Sequence, residues 1–403
     1  MVPVTAGLTD SATSQSPAEL GVWAELIGQT AAVATLRRAV AASSGGNGEP
    51  HAMSHAWLFT GPPGSGRSNA ARAFAAALQC HSGGCGKCTE CRTSLSGAHP
   101  DVTLVRTELL SIGVDEVREL VRRAAMSPTL RRWQVIVIED ADRVTERGAD
   151  ALLKSIEEPA ARTVWILCAP TADDVVATIR SRCRLLTLQT PTISSVAQLL
   201  QTRDGIEPEL AAYAAQVSQG HVGRARVLAR DESARNRRQT ILEIPFQLQG
   251  LGACLAAAGQ IIEMSSVEAA EVTSELDAKE RAALEEALGF GTKGAKPRQA
   301  HAAIKELEEQ QRARTKRFQR DAIDRTLTEL TGLYRDVLSL QTGSGAPLIN
   351  ADLQPQIAVL ARKSAPESTL HRIDALLACR TALEGNVAPL LAVEAALIGL
   401  VEG

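Results

Sequence analysis

Ala56-Trp57-Leu58-Phe59-Thr60-Gly61-Pro62-Pro63-Gly64-Ser65-Gly66-Arg67-Ser68 is the stretch whose reading decides the fold. Its first five residues are apolar or β-favouring and run into a Gly and Pro cluster, the signature of a short buried strand entering a turn. A helix-patterned segment, Asn69 to Leu78, follows at once. Strand, glycine-rich turn and helix in that order let successive backbone N–H groups ring an anion at the helix N-terminus, which is how a phosphate-binding loop works. Gly61, Pro62, Pro63, Gly64, Ser65, Gly66, Arg67 and Ser68 fit the pattern G-x4-G-K-[ST] except at Arg67. Arginine keeps the charge but replaces a compact ammonium with a planar fork, so the loop is expected to hold phosphate without the usual reach to the β and γ groups. The plainer alternative is a βα turn that holds no ligand.

Outward from this loop, apolar strands and helices alternate. A helix pattern over Val114 to Ala125 precedes the strand Gln134 to Ile138, then a helix over Gly148 to Glu157, then the strand Thr163 to Leu167. Continuous apolar strands separated by helices predict a parallel sheet covered on both faces. After Pro191 the reading is helical to the end, broken at Gly220, Gly289 to Pro297 and Thr342 to Pro347. The fold class is therefore an α/β domain followed by all-α parts. A composition of 45% apolar but 3% aromatic residues agrees, since it favours helices over sandwiches and barrels. With 403 residues, two or three domains are expected. Residues 1 to 18 read as a disordered tail, the first fold-like signal is Leu20 to Val40, and Ser43 to Gly48 reads as a loop.

A net charge of -3 leaves any nucleic-acid contact to local patches. There is neither a long uncharged apolar run nor a basic start followed by one, so no membrane span is expected and the predicted location is cytoplasmic.

Three constellations carry chemistry. The strand ending at Ile138 runs into Glu139-Asp140-Ala141-Asp142, where a carboxylate pair of Asp then Glu would hold Mg²⁺ and activate water. Here the order is reversed, and a misplacement of about 1 Å costs on the order of 10²-fold in rate. Helix capping is the plainer use of these acids, and both uses are compatible. Cys80, Cys85, Cys88 and Cys91 offer four thiolates in one short, glycine-rich stretch, a pattern best fitted by structural Zn²⁺ with no open coordination position; free or redox-active thiols are the alternative. His81 and His99 are spare ligands. Cys168, Cys183, Cys254 and Cys379 lie in apolar surroundings and read as small buried side chains. The segment 293–325 holds ten Lys or Arg against five Asp or Glu, either a phosphate contact or, more often for such a run, the solvated face of a helix.

With these pieces in order, the chain resembles the bacterial DNA polymerase III clamp-loader family of AAA+ proteins from about residue 20 onward. Leu26-Ile27-Gly28-Gln29 resembles the family's opening motif near the adenine site, and the four-Cys insert after the phosphate-loop helix is similar to the zinc module of its gamma/tau and delta-prime members. Ala149 to Pro159 is similar to the helix ending in Leu-Glu-Glu-Pro, Ser181-Arg182-Cys183 is the Ser-Arg-Cys motif, and Gly220 to Ala225 resembles the lid segment whose arginine, here Arg224, serves as a second sensor. Asn386 to Glu394 resembles the end of the collar.

The resemblance implies a RecA-like AAA+ domain over 19–190, a helical lid over 191–240 and a helical collar over 241–403. It also implies gamma/tau and delta subunits as partners, a sliding clamp to be placed on primed DNA, and Arg182 as a finger reaching a neighbour's ATP. ATP with Mg²⁺ is the ligand of the family's motor members. Arg67, Glu139-Asp140 and Ala169-Pro170-Thr171, where only Thr171 remains as a first sensor, depart from the motor pattern. They point to a delta-prime-type subunit with little or no ATPase of its own, an ATP-hydrolysing gamma/tau-like motor being the alternative. An unrelated zinc-containing nucleic-acid-binding protein is a third class, weakened by the order in which the motifs occur. Polymerase chemistry would belong to the holoenzyme and not to this chain.

Overall fold

A computed structural model describes residues 20–44, 52–107, 111–130, 132–287, 298–385 and 387–402. The predicted tail at 1–18, most of the Ser43 to Gly48 loop, the Gly289 to Pro297 loop and Asn386 lie outside the described residues. The chain divides into two compact units, meeting in sequence at Val196 and Ala197.

The first unit is a five-stranded parallel sheet with helices on both faces. In chain order its elements are a 3-10 turn Gly21–Glu25, α1 (Thr30–Ser43), β1 (Ala56–Thr60), α2 (Arg67–Gln79), α3 (Thr89–Ser96), β2 (Val102–Val105), α4 (Val114–Ala124), β3 (Gln134–Ile138), α5 (Glu146–Glu157), β4 (Thr163–Ala169), α6 (Ala177–Arg180) and β5 (Arg184–Thr187). The strand order is β2-β3-β4-β1-β5. Strands β1, β3 and β4 are buried at every residue, so alternate side chains feed two cores. Trp57, Phe59, Val135, Val137 and Ile166 meet α1 and α2 through Leu36, Phe74 and Leu78 on one face. Leu58, Ile136, Ile138 and Trp165 meet α4 and α5 through Val117, Leu120, Leu152 and Ile156 on the other. Trp57 and Phe74 pack edge to face with ring centroids 5.3 Å apart.

Two strands escaped the sequence reading. β2 and β5 are the edge strands, four residues each, and their half-exposed side chains lack the continuous apolar run that marks the inner three. The helix after the phosphate loop also begins two residues earlier than expected, at Arg67, which puts Arg67 and Ser68 in its first turn.

The second unit is helical among its described residues. α7 (Ile193–Thr202) leads into it, followed by α8 (Pro208–Val217), α9 (Val222–Arg230), α10 (Glu232–Gln247), α11 (Leu251–Ala287), α12 (Arg298–Thr342), α13 (Gln354–Lys363), α14 (Pro366–Glu384) and α15 (Pro389–Glu402). Its apolar core joins Leu242, Ala258, Ile261, Ile323, Leu330, Val337, Leu376 and Val393. α11 and α12 run antiparallel, as ion pairs Arg325 to Glu268, Arg314 to Asp277 and Arg281 to Glu308 show by their descending and ascending numbers. Among its described residues the basic segment is thus neither a plain solvated face nor a bare cationic strip. Arg314 is only 4% exposed and bonds Asp277 at 2.6 Å as well as Glu280, so α11 neutralises the part of the run that faces it. No helix among the described residues is long and apolar enough to cross a membrane.

Candidate functional site

The phosphate loop lies where β1 leaves the sheet and α2 begins. Gly61, Gly64 and Gly66 take φ of 152°, 85° and 89°, a left-handed sequence that a side chain would resist. At Gly61 the space is closed as well, since a Cβ there would come within 2.6 Å of Ser65 Oγ and of the Leu188 carbonyl. Gly61 N–H donates to the Pro170 carbonyl at 3.0 Å and Ser65 N–H to that of Pro62 at 3.0 Å, so the turn is tied to itself and to the end of β4. Ser65 is 2% exposed and its Oγ has no hydrogen-bond partner. Arg67 folds back and donates to the Gly61 carbonyl, the first residue of its own loop.

Gln29 braces this loop from the side. Its amide donates to the Ser65 carbonyl at 3.1 Å and to that of Gln189 at 2.6 Å, and its carbonyl accepts from Gln189 N–H at 3.2 Å. The opening motif therefore contributes a buried strut between the loop and the chain just past β5. Sequence reasoning had only a motif here, because the partners are distant along the chain.

Of the acids at the end of β3, Glu139 is engaged by an arginine. Glu139 is 8% exposed and its Oε1 receives Nε and Nη2 of Arg72, at 2.8 and 2.7 Å, from the second turn of α2. Asp140 caps the short turn Ala141–Arg143, its carbonyl accepting from Arg143 N–H at 3.0 Å. Asp142 is shifted upward, first by burial and then by Asp140, with Arg143 and Arg67 opposing. At the end of β4, Thr171 directs its hydroxyl to Asp174 at 2.9 Å.

The Ser-Arg-Cys segment sits at the opposite end of the sheet. Arg182 is exposed, donates to Glu157 Oε1 at 2.6 Å, and reaches the Thr178 carbonyl at 2.8 Å. Arg180 pairs with Asp173. In the second unit Arg224 is in the first turn of α9, with its side chain 15% exposed and paired with Glu329 of α12. Burial, followed by Arg238 and Arg325, lowers the Arg224 guanidinium to about 10. Arg238 shares Glu329 at 3.1 Å and also bonds Asn350 and, at 3.2 Å, Tyr213 Oη. Arg224 is thus committed to a buried network within its own unit.

Cys80, Cys85, Cys88 and Cys91 come together with all four sulfurs within 4.8 Å of one another. Tetrahedral coordination at about 2.3 Å per Zn–S bond sets sulfurs about 3.8 Å apart, and Cys80 Sγ lies 3.8 Å from Cys88 Sγ. Cys80 caps the C-terminus of α2 and Cys88 the N-terminus of α3, so two helix ends fix the geometry. Backbone N–H groups of Ser82 and Cys85 point at Cys80 Sγ, at 3.3 and 3.4 Å, and that of Cys91 at Cys88 Sγ, at 3.4 Å. Such donors favour thiolate. Donation from Lys87 and Cys88 N–H brings Cys85 down to about 6, while burial pushes Cys91 up. The residues fit a four-thiolate metal site. His81 bonds Arg132 at 3.1 Å and His99 Nδ1 accepts from Asp101 N–H at 3.1 Å, so neither joins the cluster.

The cluster is docked by glycines. Gly84 accepts from Val22 N–H at 3.0 Å, and a Cβ on Gly84 would stand 2.7 Å from Val22 and 3.2 Å from Ala77. Of the remaining cysteines, Cys168, Cys254 and Cys379 are buried and Cys183 partly so, as their apolar surroundings suggested.

Two family models match, one described as DNA polymerase III, delta subunit, over residues 46–192, and one as its C-terminal part over residues 298–401. The delta-prime subunit of Bacillus subtilis is 27% identical over 344 residues, 84% of this chain and 88% of its own. The delta-prime subunit of Escherichia coli is 32% identical over 43% of this chain and 54% of its own. The gamma/tau subunit of Mycobacterium tuberculosis is 35% identical over 165 residues, 40% of this chain; the match spans only 27% of the gamma/tau length.

Proposed function

The chain belongs to the DNA polymerase III delta-prime family of AAA+ clamp-loader subunits, and from that premise we propose that it gives an arginine to a neighbour's ATP instead of hydrolysing ATP itself. It does so in a ring with gamma/tau and delta subunits that opens the sliding clamp and sets it on primed DNA. Residues 191–240 act as its lid and 241–403 as its collar, and the four cysteines hold one structural Zn²⁺.

The observation that carries this reading is the position of Arg182. In the parallel pairing of β1 with β5, Trp57 lies beside Arg184 and Thr60 beside Thr187. The phosphate loop leaves β1 after Thr60, whereas Arg182 precedes Arg184, so the length of the strand, about 13 Å at roughly 3.3 Å per residue, separates the two ends. An arginine there is turned away from its own loop and toward whatever packs on that edge. Its pair with Glu157 is exposed on both sides, at 40% and 45%, a contact worth at most about 1 kcal/mol and easily exchanged for a γ-phosphate.

The gamma/tau motor is the second reading, favoured by the 35% identity. That similarity spans 165 residues, 40% of this chain, while the delta-prime match runs through 84% of it. Reconstitution separates the two readings. Arg182→Ala is expected to fold and assemble yet reduce DNA-stimulated ATPase and clamp loading by the complex, a trans finger being worth about 10³ to 10⁵ at the site it serves. Arg182→Lys should rescue poorly because lysine lacks the fork. Wild-type loading by the Arg182→Ala complex would remove the finger. Mg²⁺-dependent turnover by the isolated chain, abolished by Arg67→Ala, would make it a motor.

A further inference from the structure

A cavity of about 630 Å³ opens in the first unit between the Gly21–Glu25 turn, the second half of α1 and the cysteine loop from Ser82 to Lys87. That volume is within the range of pockets that receive ligands. Its walls are held in backbone contact. Val22 N–H donates to the Gly84 carbonyl at 3.0 Å, and a Cβ on Gly86 would stand 3.1 Å from the Gly21 carbonyl carbon. Trp23 and Val40, 3% and 4% exposed, form the floor. A groove already shaped in this way loses little freedom when something binds.

Two cations line the groove, Arg37 from α1 and Lys87 from the loop, and no acid is among the lining residues. Both are exposed, and among the described residues neither side chain makes an ion pair or a hydrogen bond. In the same unit Arg72, Arg132, Arg182 and Arg184 all have partners. One unpaired surface cation is ordinary. Two that face a single acid-free concavity make a local positive field in a chain whose net charge is -3. The hydroxyls of Ser43 and Ser44 both donate to the Val40 carbonyl, at 2.8 and 3.2 Å, which blunts the negative end of α1 on this side.

We propose that this groove docks an acidic segment of a partner protein, Arg37 and Lys87 meeting its carboxylates while Leu20 and Ala41 meet its apolar side chains. Arg37 offers a fork to one carboxylate and Lys87 a point charge to another. Nucleic acid matches the lining less well. Trp23 is too buried to give a base a face to stack on, and two cations make a short track for a phosphate backbone. A closed four-thiolate site has no open coordination position, so the groove serves no metal chemistry.

The test is fluorescence anisotropy on the full-length protein with three labelled probes: a peptide of alternating Glu and Leu, the same peptide with Lys for Glu, and single-stranded oligothymidylate. The parent should bind the acidic peptide, more weakly as salt rises, and leave the basic one unbound. Arg37→Glu should weaken the acidic peptide about tenfold by reversing a rim charge. Arg37→Lys should cost no more than about threefold, since the charge is kept. No binding of the acidic peptide by the parent overturns the proposal, and so does equal binding by the parent and Arg37→Glu. Oligothymidylate held more tightly than the peptide, and weakened by the same substitution, would give the groove to nucleic acid and overturn it too. Arg37 is on α1 and outside the cysteine stretch, so metal content and thermal melting of both variants should match the parent. Metal lost from Arg37→Glu would assign the arginine to the cluster's own charge, against the proposal. Binding is read on the isolated protein and stands apart from the role of Arg182 in the reconstituted ring.

Discussion

At the N-terminal end of α2 a glycine loop meets two arginines and two acids; at its C-terminal end a second glycine-rich stretch meets four cysteines. Both ends have the backbone freedom of an ion-binding turn, with left-handed glycines at 61, 64 and 66 on one side and at 83, 84 and 86 on the other. The difference is in what the donor atoms face. The four sulfurs face one another within 4.8 Å, and backbone N–H groups of Ser82 and Cys91 point at two of them. The carboxylate of Glu139 faces a guanidinium already in place. Donors that converge on one another mark a place that could hold a metal, whereas Glu139 is met by an arginine, although the residue types alone announce ions at both ends.

The largest effect should follow from breaking the cysteine end. Cys88→Ala removes both a thiolate and the side-chain cap of α3, whose Cys91 N–H points at that sulfur. About one zinc per chain in the parent and none in the variant is expected, since structural zinc contributes on the order of 10 kcal/mol to the folding of such modules. The first unit should then melt about 20 to 40 °C lower, and protease should cut between residues 80 and 91. Elemental analysis and differential scanning calorimetry measure both, and a metal-free parent of unchanged stability would end the comparison.

Gly84→Ala sharpens the same end without touching a sulfur. The new Cβ would meet Val22 at 2.7 Å on a backbone with φ of 106°. A loss of about 1 to 3 kcal/mol is expected from crowding and left-handed strain together, with zinc retained because every ligand is still present. Loss of the metal along with stability would mean that docking onto the Gly21–Glu25 turn is part of metal binding.

What could be read from sequence follows the same line between local and distant causes. Strands β1, β3 and β4 are legible because each is an unbroken buried run, and the cysteine spacing is legible because all four ligands lie within one turn-rich segment. The edge strands β2 and β5 carry too few buried residues to announce themselves. Arg72 looks like a surface charge on an alanine-rich helix until β3 brings Glu139 to it from 67 residues away. Arg314 reads as one more cation in a basic run, and only the return of α11 buries it against Asp277. Arg224 matches a sensor motif, yet its pairing with Glu329 requires α12. Patterns repeat along the chain and are visible; pairings between elements are not.

A comparable effect is expected from Gln29→Ala at the phosphate-loop end. The change leaves the Ser65 carbonyl and both polar groups of Gln189 without the amide that joins them. Losing a buried bridging amide costs about 1 to 3 kcal/mol. Zinc content should not change, because Gln29 bonds only the loop and the segment after β5. Thermal melting with parallel metal analysis separates the two ends: if Gln29→Ala lost zinc, they would be one cooperative site and not two.

The smallest effect should come from Arg67→Lys, although it restores the loop's consensus residue. Lysine would replace the fork that now bonds the Gly61 carbonyl with a compact ammonium able to reach the β and γ groups of a nucleotide. That repairs one part of a motor site and leaves the other as it was, with Glu139 held by Arg72 and the two acids in reversed order. Catalysis depends on the parts acting together, and an acid misplaced by about 1 Å still forfeits on the order of 10²-fold. ATP hydrolysis by the isolated Arg67→Lys protein should therefore stay within about twofold of background in a coupled assay with Mg²⁺. Nucleotide affinity should shift by less than about tenfold, or 1.4 kcal/mol, because charge and loop geometry are both kept. Robust turnover from this single change would place the defect in the loop arginine alone, and the acids at the end of β3 would have to be counted as a working pair.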